Sequence, residues 1–287
     1  TKIAEGHPQT QAGTIATGGR ETAWVRDQIR QAKRLTDKPF GVNVMLMAPN
    51  RDEVVDTICE EKVAYVTLGA GNPVPYFAKF SEAGIRKIPV VPNSRLAQRV
   101  EAGGADAIII EGMEAGGHIG VLTTMALMTQ VIPLIHIPVI AAGGFADGRG
   151  LAAAFVMGAA GVQIGTRFLA AEECGVHPSF KQRLFAATDT DTVVTGFTVG
   201  HGVRGVRNSF TDKYLALERQ GASAEELDRL ATGTSRMAAV EGDVENGMVQ
   251  AGQSLMPLQE MEPVRTILER MMAEAEEALA MGPDLLK

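Results

Sequence analysis

Glu111-Gly112-Met113-Glu114-Ala115-Gly116-Gly117-His118-Ile119-Gly120 places carboxylates and a histidine among four glycines, directly after the apolar run Ala107-Ile108-Ile109-Ile110. Glycine loses more conformational freedom on folding than any other residue, so it is favoured where φ is positive or a ligand must come close. Four around one histidine read as a binding loop at the end of a buried strand. Glu111 and His118 are its candidates for proton chemistry.

Two more glycine-rich strand ends follow, Gly143-Gly144 and Gln163-Ile164-Gly165-Thr166. In a (β/α) barrel the last two such loops form a recurrent phosphate site, in which backbone N–H groups face the anion. The Thr166 hydroxyl adds a donor. Asn43, a lone amide in the apolar segment Gly41–Met45, must find polar partners, and its place in the strand's C-terminal half favours a cofactor-facing role. Asn72, before Pro73, reads equally well as a turn residue. Of the five histidines, His136 reads as a packing residue beneath a strand, while His177, His201 and His7 fall in other loops.

Some chemistries are excluded. No lysine stands at a strand's C-terminal end, so Schiff-base catalysis has no nucleophile. GxSxG is absent, and Cys59 and Cys174 stand in no metal-ligand pattern. An anion cradle, amides, a carboxylate and one histidine are weakly reactive by themselves. Such a set suits a bound cofactor that performs the chemistry while the protein orients it.

The elements that must position these groups recur in a rhythm of apolar run, glycine or asparagine, then amphipathic helix. The runs are Gly13–Gly19, Phe40–Leu46, Ala64–Gly71, Lys87–Asn93, Asp106–Gly112, Ile137–Gly144 and Gly161–Phe168. Helices are expected at Arg20–Leu35, Asp52–Glu61 and Ser94–Gly103, the last with Ser94 as its cap. Strands apolar on both faces with helices between them mean a parallel sheet. Glycines after nearly every strand favour a TIM (β/α)8 barrel over an open nucleotide-binding sheet. Seven runs leave one strand to find. Thr1–Gln11 offers no apolar run for it, so the N-terminal strand is expected to be missing or unseen. Residues 1–190 are expected to form the barrel, and 191–287 a C-terminal helical appendage closing its mouth, ending in a helix over Pro263–Met281.

With 287 residues, an apolar fraction of 45% and a formal charge of −7, the chain is of globular composition. It holds no apolar run of the ~18 residues that a membrane span needs. The charge argues against nucleic-acid or anionic-membrane partners, and reduced cysteines suit a cytoplasmic protein.

In order and spacing, GVNVML, TLGAGNP, IPVVPN, EGMEAGGHIG, IPVIAAGGFADGRG and GVQIGTRF resemble the flavin-dependent nitronate monooxygenase/2-nitropropane dioxygenase superfamily. Within it the chain is most similar to the FabK-type enoyl-[acyl-carrier-protein] reductases. The short loop from His118 to Leu122 and the tail segments GHGVRGVRN and AAVEGDVENGMVQAGQS carry that likeness. The resemblance implies FMN bound by Asn43, Glu111, Gly116, Gly144, Gln163, Ile164, Gly165, Thr166, Gln253 and Ser254, with His118 on the substrate side. It also implies NADH or NADPH as co-substrate, an enoyl thioester on acyl carrier protein, and a homodimer. The family's Gln-Gly-Gly-Met stretch in the first strand has no counterpart here. Nitronate oxidation on the same scaffold is the alternative, followed by a flavin-binding barrel without catalysis; a phosphosugar isomerase is weaker still.

Overall fold

The computed structural model describes residues 11–282. Seven parallel strands alternate with helices: β1 (Thr14–Ala16), α1 (Thr22–Leu35), β2 (Gly41–Met45), α2 (Arg51–Glu61), β3 (Tyr65–Gly69), α3 (Phe77–Glu82), β4 (Arg86–Val91), α4 (Ser94–Ala102) and β5 (Ile108–Glu111). After the two-residue β6 (Gly117–His118) come α5 (Thr124–Val131), β7 (Val139–Ala142), α6 (Gly148–Val156), β8 (Gly161–Gln163) and α7 (Thr166–Leu169). The sheet order is β1-β2-β3-β4-β5-β7-β8. This is the expected TIM-barrel-like α/β fold. The first strand of an eight-stranded barrel was sought in residues that lie largely outside the described ones.

Two compact units divide the chain, one reaching Ile110 and taking in Gln130–Ile140, the other made of Glu111–Thr129 and the residues from Ala141 onward. In the first, β2 and β3 pair in parallel from Gly41↔Tyr65 to Met45↔Gly69. Their Val42, Val44, Val66 and Leu68 are buried, as are Val25 and Ile29 of α1 and Val54, Val55 and Ile58 of α2. These are the apolar positions whose spacing marked the helices. The cap of α4 is Asn93 instead of Ser94. Its Oδ1 accepts from Leu96 N at 2.9 Å, which satisfies one of the four free N–H groups at a helix start.

The second unit departs more from expectation. Gly161–Phe168 is strand only as far as Gln163, and Thr166 already begins α7. Beyond it lie α8 (Pro178–Phe185), β9 (Thr192–Thr195), β10 (Val203–Val206), α9 (Ser209–Arg219), α10 (Ala224–Ala231), the single turn α11 (Thr234–Arg236) and α12 (Val264–Met281). The expected helical appendage therefore also contains strands, β9 and β10, which form an antiparallel sheet with β6. Ile267, Met271 and Ala275 of α12 are buried, against Ala171 and against Leu151 and Ala152 of α6. Among the described residues, no helix is long and apolar enough to cross a membrane.

Candidate functional site

Ile108, Ile109 and Ile110 are buried, so β5 is anchored along its length and its last residue, Glu111, is delivered to a fixed place. Glu111 is half-buried. Desolvation raises its carboxyl to about 7. The following loop is held at each step: Gly112 N donates to Ala142 O at 3.0 Å, Met113 N to Leu122 O at 2.8 Å and Ala115 N to Gly112 O at 3.1 Å.

Glu114, a residue the sequence did not single out, is the hub of this loop. Thr124 donates its backbone N–H to both carboxylate oxygens, at 3.0 and 2.9 Å. The Thr124 hydroxyl lies 2.9 Å from Glu114 Oε2 and 2.9 Å from Gly143 O, with one proton to share between them. The chain's tail joins on. Gln253 N donates to Glu114 O at 2.9 Å, and Gly252 N to Thr166 Oγ1 at 2.8 Å. Gly116 is required here, since a Cβ on it would stand 2.6 Å from the carbonyl carbon of Ala251.

Five segments of the second unit thus converge: the loop 111–118, the start of α5, Gly143-Gly144, the turn into α7 and the tail 251–254. A cavity of about 360 Å³ opens against three of them, the loop 111–118, Gly143-Gly144 and the tail, and is lined by Glu114, Gly144, Asp147, Gln253 and Ser254. Gly144 has φ of +86°, a conformation that a side chain would strain. Gly165 has open space on its Cα and precedes α7, whose first turn no side chain caps. Ile164 differs from its neighbours. Its side chain packs with Phe168 against Ile267 and Met271. Thr166 uses an oxygen lone pair on Gly252 N and keeps its hydroxyl proton to give.

His118 projects from the β6–β10 ribbon and is solvent-accessible. Partial desolvation, then the neighbouring His201, hold its imidazole below the usual histidine range. Asn43 belongs to the first unit, where its Nδ2 donates to Thr67 Oγ1 at 3.0 Å and its carbonyl accepts from Thr17 Oγ1 at 2.7 Å. Only the first of these engages the side-chain amide; the second is made by the backbone carbonyl.

Several expectations outside the cavity are corrected. His136 does not pack: its side chain is 91% exposed, and its backbone N–H bonds Glu101. Asn72 is a turn residue whose Oδ1 accepts from Val74 N at 3.4 Å. Arg167 and Arg204 are both buried. Arg167 pairs with Glu262. Arg204, on β10, donates from Nε to Met113 O at 2.8 Å and from Nη1 to Thr192 Oγ1 at 2.9 Å, so it ties the glycine loop to the ribbon. His7 lies outside the described residues. Among those described, no cluster of His, Cys, Asp and Glu could hold a metal.

Residues 48–274 match the family described as nitronate monooxygenase. FabK from Thermotoga maritima superposes with a TM-score of 0.92 at 44% identity, covering 95% of this chain and 87% of that one. A nitroalkane oxidase from Streptomyces ansochromogenes superposes at 0.81 with 27% identity, covering 93% and 89%. A relative from Rhodococcus jostii is 36% identical over 256 residues, 86% of this chain and 71% of its own. That protein is a (3aS,4S,5R,7aS)-5-hydroxy-7a-methyl-1-oxo-octahydro-1H-indene-4-carboxyl-CoA dehydrogenase.

Proposed function

The chain belongs to the nitronate monooxygenase family and is a flavin-dependent oxidoreductase, and from that membership we propose an FMN-dependent enoyl-[acyl-carrier-protein] reductase that uses NAD(P)H. The observation that carries this reading is the likeness to FabK, at 44% identity over nearly the whole chain against 27% for the nitroalkane oxidase. The Rhodococcus relative, which is named for a CoA thioester, supports a thioester substrate.

The second unit suits the cofactor. Gly144, at positive φ, exposes backbone beside the cavity, and the uncapped turn at Gly165-Thr166 presents N–H groups and a hydroxyl proton suited to a phosphate. Gln253 and Ser254 line the same cavity from the tail, within the 191–287 segment that we take as its cover. Bound FMN supplies hydride transfer, from NAD(P)H to the β-carbon of a trans-2-enoyl thioester. The protein's part is to hold that thioester, exclude water, and meet the charge that develops on its carbonyl oxygen. His118 is the donor assigned to that oxygen. Gly117 is a poor partner in this, because the ribbon pairs it with Arg204 in the hydrogen-bonded position and its N–H is engaged there.

Nitronate oxidation is the second reading, favoured by the family match and by the nitroalkane oxidase. Anaerobic reduction of the purified flavoprotein with NADH, followed by crotonyl thioester or by a nitronate with oxygen, separates the two. Reoxidation by the enoyl thioester is expected, with His118→Ala slowing that step while leaving FMN affinity unchanged. Turnover with the nitronate alone would overturn the reductase reading.

A further inference from the structure

Two glycine-rich segments make the anion cradle, and a third element of the same unit grips both from outside it. Loop 143–148 is fixed at its start, where Gly143 O lies 2.9 Å from the Thr124 hydroxyl. Its end is fixed by α12. Gly148 N donates to Glu274 Oε2 at 2.8 Å, a bond across 126 residues. The two helices meet there almost backbone to backbone: a Cβ on Gly148 would collide with Met271 O and stand 2.5 Å from Ala275 N. Glycine is therefore required at the crossing. Asp147, immediately before it, lines the cavity and caps α6 by accepting from Gly150 N at 2.9 Å.

The other end of α12 holds the turn into α7. Glu262 O accepts from Glu172 N at 3.0 Å, and the Glu262 carboxylate pairs with buried Arg167, the residue after Thr166. Arg270 binds the same carboxylate through both terminal nitrogens, at 2.7 and 2.6 Å, and its Nε lies 3.8 Å from Glu274 Oε1. Arg167, Glu262, Arg270 and Glu274 thus form one run of alternating charge, from the turn after Gly165 to the start of α6. Ten residues of helix separate Val264 from Glu274, roughly 15 Å along the axis. We propose that α12 sets the separation of the two halves of the cradle, with Glu274 a positioning residue for the FMN phosphate that acts through Gly148.

An anion shared between two backbone segments is held well only while both keep their spacing. N–H groups displaced by roughly 0.5–1 Å lose much of their bond. Neither Glu274 nor Arg270 lines the cavity, so any effect of theirs on a ligand there passes through the loops. Adhesion of α12 comes from elsewhere, from Ile267, Met271 and Ala275, which are buried against Ala171 and α6. The Glu274 bond adds direction to that adhesion: it fixes where α6 begins, and with it the end of loop 143–148.

The inference rests on the cradle holding the FMN phosphate, not on which substrate is reduced. In the full-length protein, binding of FMN and of riboflavin, which lacks the phosphate, is followed by quenching of flavin fluorescence. Glu274→Ala should weaken FMN binding roughly 3- to 30-fold and leave riboflavin binding unchanged. The Glu274 side chain is 37% exposed and alanine is a good helix former, so this variant keeps the fold. Glu274→Gln retains an oxygen for Gly148 N and should restore most of the FMN affinity. Equal weakening of both flavins by Glu274→Ala would assign Glu274 a purely structural role and overturn the inference. A parent protein that prefers FMN, with that preference intact in Glu274→Ala, overturns it too and leaves the cradle standing. A parent that binds riboflavin as tightly as FMN overturns the cradle and the inference together.

Discussion

A carboxyl group raised by burial is a pH-dependent burden on the fold, and Glu111 is such a group. Its value of about 7 exceeds that of an exposed glutamate, roughly 4.3 in an unfolded chain. Between these two values the folded protein retains a proton that the unfolded chain has released, so stability falls as pH rises through this window. Above about pH 7 the whole difference is present as destabilisation, up to about 4 kcal/mol. Glu111→Gln keeps the shape and removes the charge. Its melting temperature should exceed that of the parent protein at pH 8 and match it at pH 5. Equal shifts at both pH values would mean that the gain comes from packing instead of ionisation. Three residues on, Thr124 supplies hydrogen bonds to the half-buried carboxylate of Glu114.

At the scale of elements, the ribbon β6–β10–β9 fixes the glycine loop, and Arg204 is its fastener. Burial pulls the guanidinium down from its usual range, the Glu114 charge partly opposes this, and its bonds to Met113 O and Thr192 Oγ1 offset the desolvation. Arg204→Met fills similar volume without donors, leaves Met113 O unpaired, and should cost about 3 kcal/mol in urea unfolding. Amide exchange at Met113 and Ile119 should accelerate; unchanged protection would mean that the glycine turns alone hold the loop. This ribbon was the part least legible in the sequence. A two-residue strand inside Gly-Gly-His has no periodicity to read, and an arginine facing inward breaks the apolar alternation that marks a buried strand. The parallel strands were legible because most are short apolar runs with glycine or asparagine close behind them. β8 was drawn too long because Ile164 and Phe168 are apolar for the sake of α12, not of the sheet. In the candidate site, the glycines and His118 stood out by type. Glu114 and Thr124 did not, because their importance lies in ten residues of separation closed by a turn.

Across the whole molecule, two carboxylates, one in each compact unit, contribute stability that is lost in acid. Glu61, on α2, meets Arg26, Arg30 and Lys33. Burial pushes its carboxyl up, but the bonds from Arg30 and Lys33 outweigh that and hold it below the usual carboxylate range. Glu262, ahead of α12, is held low first by Arg270, against burial, and then by Arg167. Both contributions are present above the unfolded value of about 4.3 and are lost as pH falls through the lower folded ones. Their magnitudes differ for a reason that counting partners would miss. The three cations around Glu61 are 32 to 56% exposed, so water takes over when the carboxylate goes, and Glu61→Gln should cost about 1 kcal/mol at pH 7. Arg167 is 2% exposed, and its Nη1 has no hydrogen-bond partner among the described residues. Glu262→Gln strips it of its counter-charge and should cost about 3–5 kcal/mol, although fewer cations are involved. Urea unfolding at pH 7 and pH 3 compares the two, with the fluorescence of Trp24 on α1 reporting on the unit that holds Glu61. Each loss should shrink at pH 3, where the parent carboxylates begin to take up protons. If Glu61→Gln proves the costlier at pH 7, the number of partners outweighs their burial and the ranking argued here is wrong.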